Sequence, residues 1–171
     1  MIIEELSGKK INNFLCHNYL NFALAENGLL LENMFQFDQR GPMSLEVKSK
    51  QPISLHLLSD IRFSVGDIAS SQRYAFGAYE TYPGGGGGRV LKRLIQTNLI
   101  FGEYAVAEKY IKILEHTFLY RKWATNQRQF LYNESLCNQD PLISKKRSLL
   151  PEKGEKGLAG LLPDTLMALI D

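Results

Sequence analysis

The sequence predicts an all-α fold built from successive pairs of helices, and two patterns carry this prediction. In three segments an apolar stretch with helical spacing runs into a glycine, and a second helical stretch follows it. These glycines, Gly28, Gly66 and Gly102, are 38 and 36 residues apart, a period typical of helix hairpins that stack into a solenoid. The composition agrees, since 171 residues with 44% hydrophobic content suffice for one packed core. We therefore predict a single helical-repeat domain of roughly seven to nine helices over residues 1–171.

The second and third segments resemble tetratricopeptide repeats. The matching residues are Gly66, Asp67, Tyr74, Ala75, Ala78 and Pro83 in the second segment, and Leu91, Leu94, Gly102, Glu103, Tyr104, Ala107, Tyr110 and Leu114 in the third. In such repeats a turn glycine permits a close reversal, and small alanines let the paired helices approach each other. The resemblance covers roughly residues 12–124 and implies a right-handed stack of helix hairpins closed by a C-terminal helical cap.

The predicted units are a degenerate repeat at 12–40, repeats at 52–83 and 88–124, and C-terminal helices at 125–171. The first is degenerate because Asn33 takes a position that is small in the family, and because "RGP" at 40–42 shortens its second helix. The stretch "MSLEVKSKQP" at 43–52 has no helical stripe and favours an extended link.

Beyond the third repeat, the stretch "KWATNQRQFLYNESL" is predicted to continue as helix. Asp140 suits an N-cap and Pro141 suits the first helical position, so a further helix should begin there. Its basic run "KKR" at 145–147 is interpreted as a solvated helix face. After a loose stretch at 151–160, the residues at 163–171 are expected to form a last helix that caps the stack.

A second resemblance concerns the runs "KKINNFLCHNYLNFALAENG", "VLKRLIQTNLIFGEYAVAEKYI" and "FLYRKWA". They are similar to the soluble tail of an uncharacterised bacterial family in which a multi-spanning membrane region precedes tetratricopeptide-like helices. This resemblance implies an alternative function, as a regulatory or supporting domain of a larger membrane-anchored enzyme or transporter. Membrane contact would then come only through a missing upstream segment. Cytoplasm is the default location and an extracytoplasmic tail the alternative, because no run of roughly 18 apolar residues is present.

Five consecutive glycines at 84–88 precede a basic helix and raise the question of a phosphate-binding loop. A P-loop requires a preceding strand and a G-K-[ST] ending, whereas Arg89 and Val90 follow this run. A dinucleotide-binding loop also requires a strand, and "YAFGAYETYP" has helical spacing. The run is therefore interpreted as a slack linker, whose amides could at most bind an adventitious anion.

The tetratricopeptide resemblance also implies where a partner would bind. In that family the first helix of each hairpin lines a concave groove, and its second, fifth, sixth and ninth positions face the ligand. The corresponding residues here are Asn18, Phe22, His56, Asp60, Arg89, Lys92, Arg93 and Gln96. Some family members clamp a terminal carboxylate, but Phe22 and Leu57 stand where that clamp has asparagine. We expect a non-catalytic module that binds a peptide or protein partner with a general preference for acidic segments, and the alternative is a solvated helix face.

Other classes of function find less support in the sequence. Residues 89–128 carry eight basic and three acidic side chains, but these are spread over two helices and not gathered in one stripe, so no nucleic-acid partner is expected. Cys16 and Cys137 lack a C-x-x-C partner and are predicted to be buried free thiols. The three histidines have no metal-binding spacing, and no serine or carboxylate pair has a catalytic setting. We therefore predict no catalytic residue, no metal and no cofactor.

Overall fold

The computed structural model describes residues 2–6, 10–39, 41–44, 51–81, 84 and 87–150. Every regular element within them is helical, which confirms the predicted all-α class. The chain divides into two compact units with a boundary between Ser49 and Lys50. Unit 1 contains the described residues 2–44 and unit 2 the described residues 51–150. The assignment of residues 1–171 to a single domain stays a prediction.

Unit 1 is built around one three-turn helix. Its elements are α1 (Ile2–Leu6), α2 (Phe14–Glu26), α3 (Leu30–Asn33) and two 3-10 segments, Met34–Gln36 and Gly41–Ser44. The Asn13 side chain caps α2 by accepting a hydrogen bond from the Leu15 amide at 2.8 Å. Leu20 and Leu24 are fully buried and pack with Ile11 and Leu30. The second helix of this predicted repeat is short, and it ends at Asn33, before the "RGP" sequence at 40–42.

Unit 2 is a series of helices, each packed on the next. They are α4 (Pro52–Ser64), α5 (Ile68–Thr81), α6 (Gly87–Phe101), α7 (Tyr104–Glu115), α8 (Arg121–Gln127), a 3-10 turn (Arg128–Phe130), α9 (Glu134–Gln139) and α10 (Pro141–Arg147). Contacts link α4 to α5, α5 to α6, α6 to α7 and α7 to α8, while α10 packs on α6 and α9. The core contains Leu94, Ile95, Leu99, Ile111 and Leu114, all almost fully buried.

The described residues contain ten α-helices, more than the seven to nine predicted. The excess has two sources: α1 precedes the first predicted repeat, and the stretch predicted as one helix after the third repeat is interrupted. Tyr132 takes a positive φ of 57°, which a right-handed helix cannot include. Asn133 then starts α9 anew, since its side chain accepts a hydrogen bond from the Leu136 amide at 3.1 Å. The predicted cap at Asp140 is confirmed, because its carboxylate accepts from the amides of Leu142 and Ile143.

The three predicted turn glycines all lie between helices with positive φ, at 68°, 90° and 77° for Gly28, Gly66 and Gly102. At Gly102 the Glu103 amide donates to the Asn98 carbonyl at 2.8 Å, a bond that closes the end of α6. A left-handed residue is required there, and glycine adopts this conformation without steric cost. The sequence pattern therefore located these reversals correctly.

The glycine run is more than the slack linker that we predicted. Gly87 and Gly88 form the first residues of α6. A Cβ built on Gly88 would lie 2.4 Å from Cδ2 of Tyr120, so the aromatic ring lies directly against the helix backbone. Gly88 thus gives Tyr120 room to pack, which is a long-range contact that the local sequence does not reveal.

We expect Gly88→Ala to lower the free energy of unfolding by about 1–2 kcal/mol. The added methyl overlaps the Tyr120 ring, and this overpacking exceeds the gain of up to about 1 kcal/mol in helix propensity. Urea unfolding of G88A, Y120A and the double variant provides the measurement. In the Y120A background the clash is absent, so G88A should be neutral or stabilising there. An equal loss in both backgrounds would contradict this role of Gly88.

Of the basic run at 145–147, only Lys145 is the exposed side chain that we predicted. Lys146 is buried, and its Nζ donates to the Ser64 carbonyl at the end of α4 at 2.7 Å. Arg147 donates to the Leu99 and Ile100 carbonyls at the end of α6, both at 3.0 Å. Both side chains thus satisfy carbonyls that have no partner within their own helix.

Several sequence predictions fall on residues outside those described. These are the closing Pro83, most of the extended link, the loose stretch at 151–160 and the last helix at 163–171. Of the link, Met43 and Ser44 belong to a 3-10 segment, and Pro52 begins α4.

Candidate functional site

Four of the predicted binding residues of unit 2 form one charge cluster between α4 and α6. Arg89 donates to Oδ2 of Asp60 at 2.6 Å, and Arg93 donates to Oδ1 of the same carboxylate at 2.8 Å. His56 lies one turn before Asp60, with its Nε2 3.7 Å from Oδ2. Residues four apart on a helix share a face, so the two pairs meet where α4 and α6 lie side by side.

The side chains of this cluster differ in their exposure to solvent. The side chains of Asp60 and Arg93 are only 17% and 16% exposed, whereas that of Arg89 is 60% exposed. The Arg93 guanidinium also lies over the Phe63 ring, 3.7 Å from its centroid. Asp60 therefore neutralises part of the predicted basic groove, and Arg89 is the cation that this cluster presents to solvent.

His56 lies beside this cluster in a setting that favours its neutral form. Burial lowers the pKa of His56 below its ordinary value of 6.5, and the positive charges of Arg89 and Arg93 lower it further. The Asp60 carboxylate raises the pKa of His56 more than either arginine alone lowers it, but its effect is smaller than that of burial. At neutral pH the imidazole is therefore uncharged, so it adds no positive charge to the cluster.

The lowered pKa of His56 predicts that acidification destabilises the protein. Below pH 6.5 the unfolded chain binds a proton at this histidine more readily than the folded chain does. Its stabilising contribution is full above pH 6.5 and decreases as the pH falls from there through the folded-state pKa. Urea midpoints between pH 7.5 and 5 should thus decline more steeply for the wild type than for H56Q. Parallel profiles would contradict this assignment.

Lys92 and Gln96 extend this group of polar side chains from α6 towards α8. The Nζ atom of Lys92 lies 5.0 Å from the centroid of the Trp123 ring, which is a cation–π contact. Gln96, Trp123 and Gln127 line part of a cavity of about 190 Å³ whose floor includes buried Ile143. This space matches one amino-acid side chain and is smaller than typical small-molecule sites. We call the residues His56, Asp60, Arg89, Lys92, Arg93, Gln96 and Trp123 the charged face.

The other two predicted contact residues belong to unit 1. Asn18 is buried and Phe22 is half-buried, both on α2. They are therefore not included in the charged face. The prediction of a buried Cys16 is wrong, because α2 presents this thiol to solvent, whereas Cys137 is buried as predicted.

Comparison with known proteins places the chain by its sequence. A family model described as a family of unknown function, DUF6057, matches residues 1–170. The chain belongs to this family. Searches of curated proteins and of solved structures give no match for this DUF6057 member. None of its described helices combines the length and apolar character that crossing a bilayer requires.

A second polar cluster, which the sequence analysis did not identify, joins the α6–α7 turn to the C-terminal helices. The Tyr104 hydroxyl donates to Glu134 and lies 3.7 Å from the Cys137 sulfur. Burial, and then donation to Glu134, raises the pKa of Tyr104 to about 12, so the phenol keeps its proton. Arg147 donates to Glu134 at 2.6 Å and to Asn138 at 3.0 Å. Because these partners come from distant parts of the sequence, no local motif marks the cluster.

Proposed function

We propose that this DUF6057 member is a non-catalytic interaction module, and that its charged face binds an acidic segment of a peptide or protein. The observation that carries the proposal is the position of Arg89 and Lys92 on one side of α6. Arg89 is largely exposed although it is bonded to Asp60, and Lys92 lies over an aromatic ring. The exposed Arg89 guanidinium can bind a carboxylate of a partner, and Lys92, held over the Trp123 ring, loses little conformational freedom when it does the same.

The proposal includes a tetratricopeptide-like arrangement of the helix pairs in unit 2. Support comes from the positive φ of Gly66 and Gly102, and from the packing of α5 against both α4 and α6. In such a stack α4, α6 and α8 are successive first helices. Their side chains would then line the same groove, which agrees with the contacts of Arg89 to Asp60 and of Lys92 to Trp123.

The test is selection of a random displayed peptide library on the immobilised chain. Peptides rich in Asp and Glu should be enriched, and their affinity can be measured by fluorescence polarisation. R89E/K92E should weaken binding by more than about ten-fold, because two attractive charges become repulsive. The matched control K109E/K145E makes the same change at exposed lysines of α7 and α10 and should bind like the wild type. Absence of enrichment, or equal losses in both variants, would refute the proposal.

A further inference from the structure

The turn between α7 and α8 presents two large apolar side chains to solvent. Phe118 is 98% exposed and Leu119 is 83% exposed. Single exposed apolar residues are common on protein surfaces, but two adjacent ones at such exposure are informative. We call Phe118 and Leu119 the apolar tip.

The apolar tip is held outward by a well-formed turn. The Thr117 hydroxyl donates to the Leu114 carbonyl at 2.7 Å, and the Arg121 amide donates to the Thr117 carbonyl at 3.2 Å. Tyr120, the next residue in the chain, packs its ring against Gly88 and the core of unit 2. Because Thr117 and Tyr120 are anchored, the tip between them is a fixed projection and not a frayed end.

Positive charge surrounds the tip. Arg121 and Lys122 follow Tyr120 at the start of α8, and both are exposed. The nearest carboxylate, that of Glu115, accepts two hydrogen bonds from Arg128 at 2.7 Å, so its charge is compensated. The same turn lines a surface concavity of about 820 Å³, whose walls include Phe118 and Leu119 as well as Arg121 and Lys122. Exposed apolar and basic side chains thus share one surface.

We propose that the apolar tip docks onto an anionic lipid bilayer. Phe118 and Leu119 would enter the region between head groups and acyl chains, and Arg121 and Lys122 would contact acidic head groups. A bilayer suits an exposed apolar pair because it needs no complementary pocket, and its negative surface complements the positive charges of Arg121 and Lys122. The inference is independent of the charged face on α4, α6 and α8.

Co-sedimentation of the full chain with vesicles tests the proposal. Binding should occur to phosphatidylcholine vesicles that contain phosphatidylserine, and be at least about ten-fold weaker without it. F118S and K122E should each lower the partition coefficient on the order of ten-fold, because one removes the apolar insertion and the other the attraction. F35S and K145E are matched controls. Phe35 is 80% exposed in unit 1, and Lys145 is an exposed lysine of α10. Both controls should bind like the wild type.

A spectroscopic readout locates the contact. The chain has a single tryptophan, Trp123, so F118W/W123F moves the only indole to the tip. Its emission should shift to the blue with acidic vesicles and be quenched by brominated acyl chains. Absence of vesicle binding, equal losses for F35S and F118S, or an unshifted tip emission would overturn the proposal. Dimerisation that F118S abolishes in vesicle-free sedimentation equilibrium would also overturn it, since the tip would then bind a second copy.

Discussion

Replacing Arg147 with alanine should lower the free energy of unfolding by about 3 kcal/mol. The guanidinium donates to the Leu99 and Ile100 carbonyls, to Tyr104 and to the side chains of α9. Alanine would remove the donor of the Ile100 carbonyl and would leave the Leu99 carbonyl with only the Gly102 amide, at 3.3 Å. It would also remove the hydrogen bonds that join α6 to the C-terminal helices. The ion pair with Glu134 contributes little, because that carboxylate is 60% exposed and screened by water. Most of the loss should come from the carbonyls.

The neighbouring lysine provides a control on the same helical turn. Lys145 is exposed, so K145A should change the stability by less than about 0.5 kcal/mol. R147K should fall between the two, since an ammonium group cannot reproduce the planar fork of five donors. Urea unfolding followed by circular dichroism gives all three values. If R147A unfolds like K145A, the hydrogen bonds of Arg147 do not hold the C-terminal helices in place.

The reversals of the chain could be predicted because each is encoded locally. Gly66 and Gly102 follow apolar helical stretches and supply the left-handed conformation that the turn needs. Asp140 before Pro141 is a helix start that these two adjacent residues specify. Features of this kind depend on interactions within one helical turn, so a single sequence contains them in full.

The missed features depend on contacts between residues distant in sequence. The "KKR" run resembles a solvated face, yet Lys146 reaches Ser64, which precedes it by 82 positions. Gly88 resembles linker, yet Tyr120 fills the space beside it. Phe118 continues the apolar pattern of α7 along the sequence, but that helix ends at Glu115 and leaves the phenylalanine in solvent. Burial of a side chain is a property of the packed molecule, and composition does not determine it.

The candidate site was predicted in part. The helical period places His56 with Asp60 and Arg89 with Arg93, and the adjacent packing of α4 and α6 brings the pairs together. Bonding of Asp60 to both arginines depends on the register between these helices, which the sequence does not specify. Trp123 is partly buried against the core and also contacts Lys92, a pairing that likewise depends on how α6 and α8 pack. The sequence thus predicts which residues share one face of a helix, but not which of them pair with residues of another helix.

Asp60→Asn should lower the stability of the protein and strengthen its binding of an acidic peptide. The variant should lose about 2 kcal/mol of unfolding free energy, because an amide replaces one charged acceptor with a donor that faces a guanidinium. Removing the carboxylate should also strengthen binding of an acidic peptide by about five- to ten-fold, since Arg89 no longer shares its charge and a repulsive group is gone. Urea unfolding and fluorescence polarisation measure the two effects on the same preparation.

The opposite signs of these effects make the prediction specific. E108Q removes a partly exposed carboxylate that pairs with Lys112 one turn away, so it should leave both stability and binding nearly unaltered. A merely damaged D60N protein would bind more weakly, in step with its lost stability. Tighter binding by a less stable protein is therefore expected only if Asp60 competes with the ligand for Arg89. Weaker binding by a D60N chain that remains folded would instead mean that Asp60 positions the arginine for its partner.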